Sequence, residues 1–271
     1  MNSDLVDRAT AGVARQLDGV QRLGVAFSGG VDSSVLLALA ARALGPSRVL
    51  ALLGVSPSLA ADERDGAHEV ARHLGVRLAE VETHEGDRAE YRANGPDRCF
   101  WCKDELFTRI EAADHGLDAV AYGENADDVR RTDRPGSRAA AAHRVLTPLA
   151  TAGLTKADVR GIARALGLPS ADKPAAPCLA SRIPHFIPVD ALKLSQVERA
   201  EAALRRLGFG DFRVRHHGEI ARLELPIADL ERAAGELREA VHRAVTEAGF
   251  RFVALDLAGI QSGAFTRAAR R

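Results

Sequence analysis

Two hydrophobic periods alternate along the first part of the chain. From Asp4 to Leu17 apolar residues recur at helical spacing, and a strand, Arg22–Phe27, follows at once. Beyond Phe27 the helical period returns, with Val35, Leu36, Leu39 and Leu44 on one face. The run Val49-Leu50-Ala51-Leu52-Leu53-Gly54-Val55 is apolar throughout, as in a strand covered on both faces. A helix over about Ala61–Leu74, a strand near Arg77–Val81, a helix from Lys103 to about His115 and a strand at Ala119–Tyr122 continue the alternation. Thr155-Lys156-Ala157-Asp158 has capping-box spacing and opens a helix ending near Leu166-Gly167-Leu168-Pro169. This order predicts an α/β fold with a parallel sheet, whose ligands sit at the carboxyl ends of the strands.

Two polar stretches interrupt the pattern. Glu82–Arg98, with Gly86, Gly95 and Pro96, and Gly123 to about Ala139 read as functional or mobile loops. From Asp190 the order changes to a long helix (to Leu207), strands Asp211–His216 and Ile220–Leu225, a helix through about Ala248 and a strand Phe252–Leu257. That order predicts a smaller α+β domain with an antiparallel component. A Pro-rich passage from Lys173 to Pro184 bridges the two parts. The expected organisation is a nucleotide-binding domain over residues 1–172, a linker carrying Cys178 over 173–189, and the α+β domain over 190–271.

Composition narrows the setting. At 271 residues and 46% hydrophobic, the chain can build two modest cores. It has no run of 18 apolar residues, so no membrane partner is expected. Met1-Asn2-Ser3-Asp4 lacks the basic and apolar regions of a signal peptide, so a cytoplasmic protein is expected. The 37 basic and 37 acidic residues cancel, which argues against a nucleic acid backbone as the main partner.

Chemistry concentrates first at the end of the strand Val25-Ala26-Phe27, where Ser28-Gly29-Gly30-Val31-Asp32-Ser33 leads straight into a helix. Gly29 and Gly30 let the backbone turn tightly against a ligand. Ser28, Asp32 and Ser33 stand at a helix start, where free N–H groups and the dipole favour an anion. The pattern is neither a Walker A loop nor a dinucleotide fingerprint, and an ordinary strand–turn–helix corner is the plain alternative. It resembles the PP-loop, which holds the pyrophosphate of ATP. By that resemblance, ATP is split between its α and β phosphates and AMP is placed on a substrate oxygen.

The cysteines number three, Cys99, Cys102 and Cys178, an odd count that argues against a disulfide framework. Cys99-Phe100-Trp101-Cys102 reads as lying just before a helix, and Cys178 follows 76 residues after Cys102. A zinc site wants four ligands, for which His185 is the available fourth. A thioredoxin-type redox pair lacks its βαβ setting here. An iron–sulfur cluster usually takes four thiolates; three would leave one iron open to a substrate or an extra sulfide. Cys99 and Cys102 can equally be small apolar residues beside Trp101. Spacing alone leaves all four readings open.

Several blocks together resemble the LarE family, ATP-dependent sulfur transferases that help make the nickel-pincer cofactor of lactate racemase. They are Ser28–Ser33, Arg98-Cys99-Phe100-Trp101-Cys102-Lys103, Arg134-Pro135-Gly136, Pro177-Cys178-Leu179-Ala180-Ser181-Arg182-Ile183-Pro184, Arg213-Val214-Arg215 and Leu255-Asp256-Leu257-Ala258-Gly259-Ile260-Gln261-Ser262-Gly263. The resemblance runs from about Leu17 to Gly263. The PP-loop alone is shared by many families, whereas the Cys178 block with the Arg213–Arg215 strand is far more specific. It implies a small nucleotide-like substrate, a pyridinium dicarboxylate mononucleotide, whose carboxylate is adenylated by ATP with Mg²⁺ and then becomes a thiocarboxylate. Cys178 matches the sulfur-donating cysteine, which in some members is consumed to dehydroalanine. Members with three cysteines resemble thiolases that bear a [4Fe–4S] cluster, so Cys99, Cys102 and Cys178 are expected to be the ligands of such a cluster, with an open iron holding exogenous sulfide. A homo-oligomer, a hexamer, is likewise implied.

The resemblance also assigns Arg213 and Arg215, which strand alternation puts on one face, to the substrate phosphate; otherwise they form a solvated sheet face. Ser181 and Arg182 are expected at the substrate and Asp32 at Mg²⁺. Asn125, Asp127, Asp128, Lys103 and Lys173 are further candidates for phosphate and metal, and Glu201 for the site. Two departures bear on substrate preference: His185-Phe186 stand where the family has Tyr-Gly, and Asp133 precedes Arg134 where an aromatic is common. Three other functions share parts of this pattern. They are an ammonia-using amide synthetase, which needs no cysteine, a transfer-RNA thiolase, and a nucleotide-binding regulator without catalysis.

Overall fold

The computed structural model describes residues 2–130, 135–174 and 177–260. The chain forms two compact units, Met1–Glu85 with Cys99–Ala176, and Gly86–Arg98 with Pro177–Arg271.

The first unit is the α/β part. Strands β1 (Leu23–Ala26), β2 (Val49–Val55), β3 (Arg77–Glu82) and β4 (Ala119–Tyr122) form one parallel sheet in the order β3-β2-β1-β4. Alternate residues of β2 enter different cores, which explains its unbroken apolar run. Ala51 and Leu53 join Leu23, Val25, Leu36 and Leu39 under the helices Asn2–Gln16, Val31–Leu44, Ala61–His73 and Lys156–Ala165. Leu52 instead packs with Phe107, Ile110, Tyr122, Ala139 and Ala140, beneath the helices Arg98–Ala112 and Pro135–Ala142. The capping box at Thr155 is complete in both directions. The helix expected from Lys103 begins earlier, at Arg98, so Cys99 and Cys102 lie within its first turns. The polar stretch after β4 contains a helical turn, Ala126–Val129, and the helix Pro135–Ala142; residues 131–134, Asp133 and Arg134 among them, lie outside the described residues.

The second unit carries β5 (Arg213–His217), β6 (Ile220–Glu224) and β7 (Phe252–Leu255), with β5–β6 antiparallel and β6–β7 parallel. The helix Ala191–Arg206, capped by Asp190, packs beside them. The single helix expected after β6 is two, Ile227–Ala234 and Arg238–Glu247. Gly235 ends the first of them, with its N–H on Glu231 O, and glycine is a poor helix interior residue.

The polar stretch Gly86–Arg98 folds with this second unit, because Asn94 ties it there. The Asn94 side-chain amide donates to the carbonyls of Ile183, Pro184 and Ile187 at 3.3, 2.8 and 2.9 Å. Phe186 N donates to Asn94 O, and Val189 N to Arg92 O. No helix among the described residues is long and apolar enough to cross a membrane.

Candidate active site

Ser28–Ser33 leave the carboxyl end of β1, the edge at which parallel sheets hold ligands. Gly29 sits at φ +69°, and a Cβ there would lie 3.0 Å from both Cα and Cβ of Ala67. Both the turn and the close approach of the Ala61–His73 helix therefore require glycine. Gly30 is the N-cap of Val31–Leu44, and no side chain caps this end. Ser33 Oγ donates to Gly30 O at 3.0 Å and accepts from Ser28 N at 3.3 Å, which curls the loop over the helix start. The result is a helix N-terminus whose first N–H groups remain to meet an anion.

β4 delivers a second group of residues to the same edge. A Cβ at Gly123 would stand 2.7 Å from Ser33 N, so the segment after β4 runs against the loop helix itself. Asn125 caps the Ala126–Val129 turn through Asp127 N and Asp128 N, and its amide donates to Asp32 Oδ1 at 3.0 Å and to Asp128 Oδ2 at 2.9 Å. Lys156 Nζ reaches the other oxygen of Asp32 at 2.5 Å, and Lys156 N donates to Asp127 Oδ2 at 2.8 Å. Asp32, Asn125, Asp127 and Asp128 are thus brought together, and Lys156 with them. Lys156 is absent from the residues expected above. The capping box beside it marks a helix start, and a lone lysine in a helix's first turn carries no signal of its own for a site.

The two lysines expected as candidates, Lys173 and Lys103, make contacts of their own. Lys173 Nζ pairs with Glu63 Oε2 at 2.7 Å. Lys103 Nζ lies 4.0 Å from the centre of the Tyr122 ring, and a Cβ at Gly136 would fall 2.9 Å from the same nitrogen. Gly136 makes room for that lysine.

In the second unit, Cys178 is exposed and is the N-cap of a 3₁₀ turn, Leu179–Arg182. Its backbone is gripped by arginines. Arg182, buried with Glu201, makes a bidentate pair with it at 2.8 and 3.0 Å. Its remaining nitrogen donates to Pro177 O, to Cys178 O at 3.4 Å and to Ser181 Oγ at 3.0 Å. Glu201 also accepts from Val214 N at 3.0 Å, joining the turn to β5. This geometry makes Arg182 and Glu201 holders of the Cys178 turn.

Arg213, Arg215 and His217 share one face of β5, opposite Arg222 and Glu224 of β6, while Val214, Ala221 and Leu223 are buried on the other. Arg213 donates to Asp211 Oδ1 at 3.0 Å and to Phe212 O at 2.5 Å. Burial first, and then the positive charge of Arg182, lower its pKa from the usual guanidinium value. Arg215 pairs with Glu224 at 2.7 Å and donates to Ser181 O at 3.0 Å. The face expected from alternation is therefore ion-paired, with Arg215 and Glu224 buried, Arg213 and Arg222 partly buried and His217 exposed. Glu224, fully buried beneath it, gave no sequence signal beyond its place two residues after Arg222.

The thiols divide between the units, Cys99 and Cys102 in the first and Cys178 in the second, and none is in a disulfide. Cys99 and Cys102 are three apart on a helix and so share a face. Thiolates are the right donors for an iron–sulfur cluster, but no group of three His, Cys, Asp or Glu is gathered to hold a metal among the described residues.

The asparagine synthase family profile matches residues 4–117, the part of the chain that contains the Ser28–Ser33 loop. An NH(3)-dependent NAD(+) synthetase of Hyperthermus butylicus is 38% identical over 28% of this chain and 31% of its own. An uncharacterized protein of Synechocystis is 40% identical over 93% of this chain and 95% of its own. The pyridinium-3,5-bisthiocarboxylic acid mononucleotide synthase of Lactiplantibacillus plantarum is 35% identical over 91% of this chain and 90% of its own. Partial likeness to amide-forming enzymes and end-to-end likeness to this synthase separate the shared loop from the family: the chain belongs to the LarE family of PP-loop enzymes.

Proposed function

We propose that the protein uses ATP and Mg²⁺ to adenylate a carboxylate of a pyridinium dicarboxylate mononucleotide and converts it into a thiocarboxylate, toward the nickel-pincer cofactor of lactate racemase. The observation that carries this reading is the likeness to the synthase across nine-tenths of both chains. The Ser28–Ser33 loop serves the first half-reaction. A substrate carboxylate oxygen attacks the α-phosphorus, the bond to the oxygen bridging α and β breaks, and pyrophosphate leaves with the electron pair. Helix N–H groups and Lys156 stabilise the departing charge. Mg²⁺ adds charge neutralisation there, and Asp32 is the carboxylate assigned to hold it. Arg213 and Arg215 are assigned to the substrate phosphate, which suits guanidinium geometry.

In the second half-reaction a sulfur nucleophile attacks the acyl carbon, the bond to the AMP oxygen breaks, and AMP leaves with the pair. A carboxylate oxygen alone leaves poorly, which is why adenylation comes first. For the sulfur we propose Cys99, Cys102 and Cys178 as ligands of a [4Fe–4S] cluster, whose open iron would supply sulfide from outside the chain. A second reading is supported by the exposed Cys178. There the Cys178 thiolate forms a thioester with the acyl carbon. Loss of the Cα proton to a base and cleavage of Cβ–Sγ then leave dehydroalanine and the thiocarboxylate.

One experiment separates the two: anaerobic protein is assayed for iron and labile sulfide, turned over with ATP and substrate, and weighed. Bound cluster, repeated turnover and unchanged mass support the cluster. A single turnover with loss of one H₂S from the chain supports the sacrificial route. No AMP or pyrophosphate with any carboxylate substrate sinks both. We also propose a cytoplasmic homo-oligomer, a hexamer, which light scattering of the full chain tests.

A further inference from the structure

Arg222 belongs to none of the motifs above, yet all three nitrogens of its guanidinium are engaged. Nε donates to His217 Nε2 at 3.2 Å, Nη1 donates to Asp256 Oδ2, and Nη2 forms an ion pair at 3.1 Å with Glu224 Oε1, a buried oxygen that accepts no hydrogen bond. The sheet arranges this, because Arg222 stands in register with Arg215 on β5 and with Ala254 on β7. Asp256, just beyond β7, is fixed by its own N–H on Leu223 O at 2.9 Å. Glu224 gives its second oxygen to Arg215 Nη2 at 2.7 Å, and Arg215 Nη1 donates to Ser181 O at 3.0 Å. Ser181 N in turn donates to Cys178 O at 2.9 Å. An unbroken series of contacts therefore runs from Asp256 to the turn that presents Cys178. His217 is held below its usual pKa, by burial first and then by Arg222 and Arg215, which leaves its ring neutral and able to accept.

Glu224 is fully buried between two guanidiniums. A carboxylate so placed holds its orientation only while both partners hold theirs. We propose that Arg222, anchored by Asp256, is a positioning residue: it fixes Glu224 and, through Glu224 and Arg215, the turn that presents Cys178. The inference rests on the proposed function only for what that turn does in turnover, so its test includes a readout that needs no activity.

In a full-length Cys99→Ser/Cys102→Ser background Cys178 is the sole thiol, and its rate of alkylation by iodoacetamide reports the turn directly. Arg222→Gln is expected to change that rate by about threefold or more, and Asp256→Asn to change it in the same direction by less. The double variant should resemble Arg222→Gln alone, because the two residues act as one unit. With wild-type cysteines, Arg222→Gln should raise KM for the mononucleotide about tenfold and leave KM for ATP unchanged. Arg222→Lys should not restore it, since an ammonium cannot reproduce the three-way fork. An unchanged alkylation rate, additive effects of the two substitutions, or equal rises in both KM values with a lowered melting temperature would overturn the proposal. Should Arg222→Gln fail to fold, Asp256→Asn decides through alkylation alone. If wild type makes no thiocarboxylate, the proposed function fails while the alkylation result still stands or falls by itself.

Discussion

Asp32 has both carboxylate oxygens occupied, one by Lys156 at 2.5 Å and the other by Asn125 at 3.0 Å. The pairing with Lys156 is half exposed, so it contributes little to folding and its value lies in what each partner does with a ligand. A nucleotide bringing Mg²⁺ would claim the Asp32 carboxylate and release Lys156 toward the phosphates. Asp32→Ala is therefore expected to abolish pyrophosphate release, and Lys156→Ala to raise KM for ATP about tenfold, roughly 1.4 kcal/mol of lost phosphate interaction. Normal pyrophosphate release from Asp32→Ala would remove that residue from the site. Arg213 and Arg215 make a contrasting prediction. Replacing both by Ala should raise KM for the mononucleotide about a hundredfold, two such interactions, with KM for ATP held. Equal losses for both ligands would place these arginines elsewhere.

At the scale of elements, strands were the most legible part of the sequence. β2 and β4 coincide with their apolar runs, because a parallel strand buried on both faces leaves no polar position to blur its ends. Helix starts were less legible. Arg98–Ala112 begins one turn early, since Cys99, Phe100, Trp101 and Cys102 carry neither a cap nor a helical period of their own. His143, invisible in the pattern, fastens this helix to Pro135–Ala142. Its Nε2 lies 3.0 Å from Asp104 Oδ1 and its Nδ1 2.9 Å from Glu111 Oε1, an arrangement that only an imidazolium satisfies twice. Burial alone would lower its pKa, but the hydrogen bonds to Asp104 and Glu111 outweigh it and the pKa is raised. The stabilisation is full below the ordinary histidine value, about 6.5, and is lost as pH rises through the raised folded value. Stability measured from about pH 6 to pH 9 should thus fall more in wild type than in His143→Gln. Parallel curves would show that His143 contributes no such proton linkage.

At the scale of the whole molecule, what no local pattern could reveal is which unit owns Gly86–Arg98. Glycines, a proline and polar residues make the stretch look like a loop of the parallel sheet, whereas its hydrogen bonds go to residues about 90 positions later. Asn94 decides the matter. It is fully buried at φ +55°, a backbone region that Asn tolerates better than most residues, and one amide group serves three carbonyls. Its oxygen accepts from Arg98 at 2.5 Å, and Arg98 also donates to Ala180 O at 2.9 Å. Asn94→Ala removes this hub and leaves one buried and two partly buried carbonyl contacts without their donor, at a cost of about 1–3 kcal/mol. Because every partner lies in the second unit, the loss should be confined there. Amide exchange in the full chain should accelerate through β5, β6, β7 and the Cys178 turn, while β1, β2 and β4 keep their protection. Cys178 alkylation should accelerate with it and ATP binding should not change. Uniform loss of protection across both sheets would show instead that the two units unfold as one, and that Asn94 guards the stability of the entire chain rather than the half that carries Cys178.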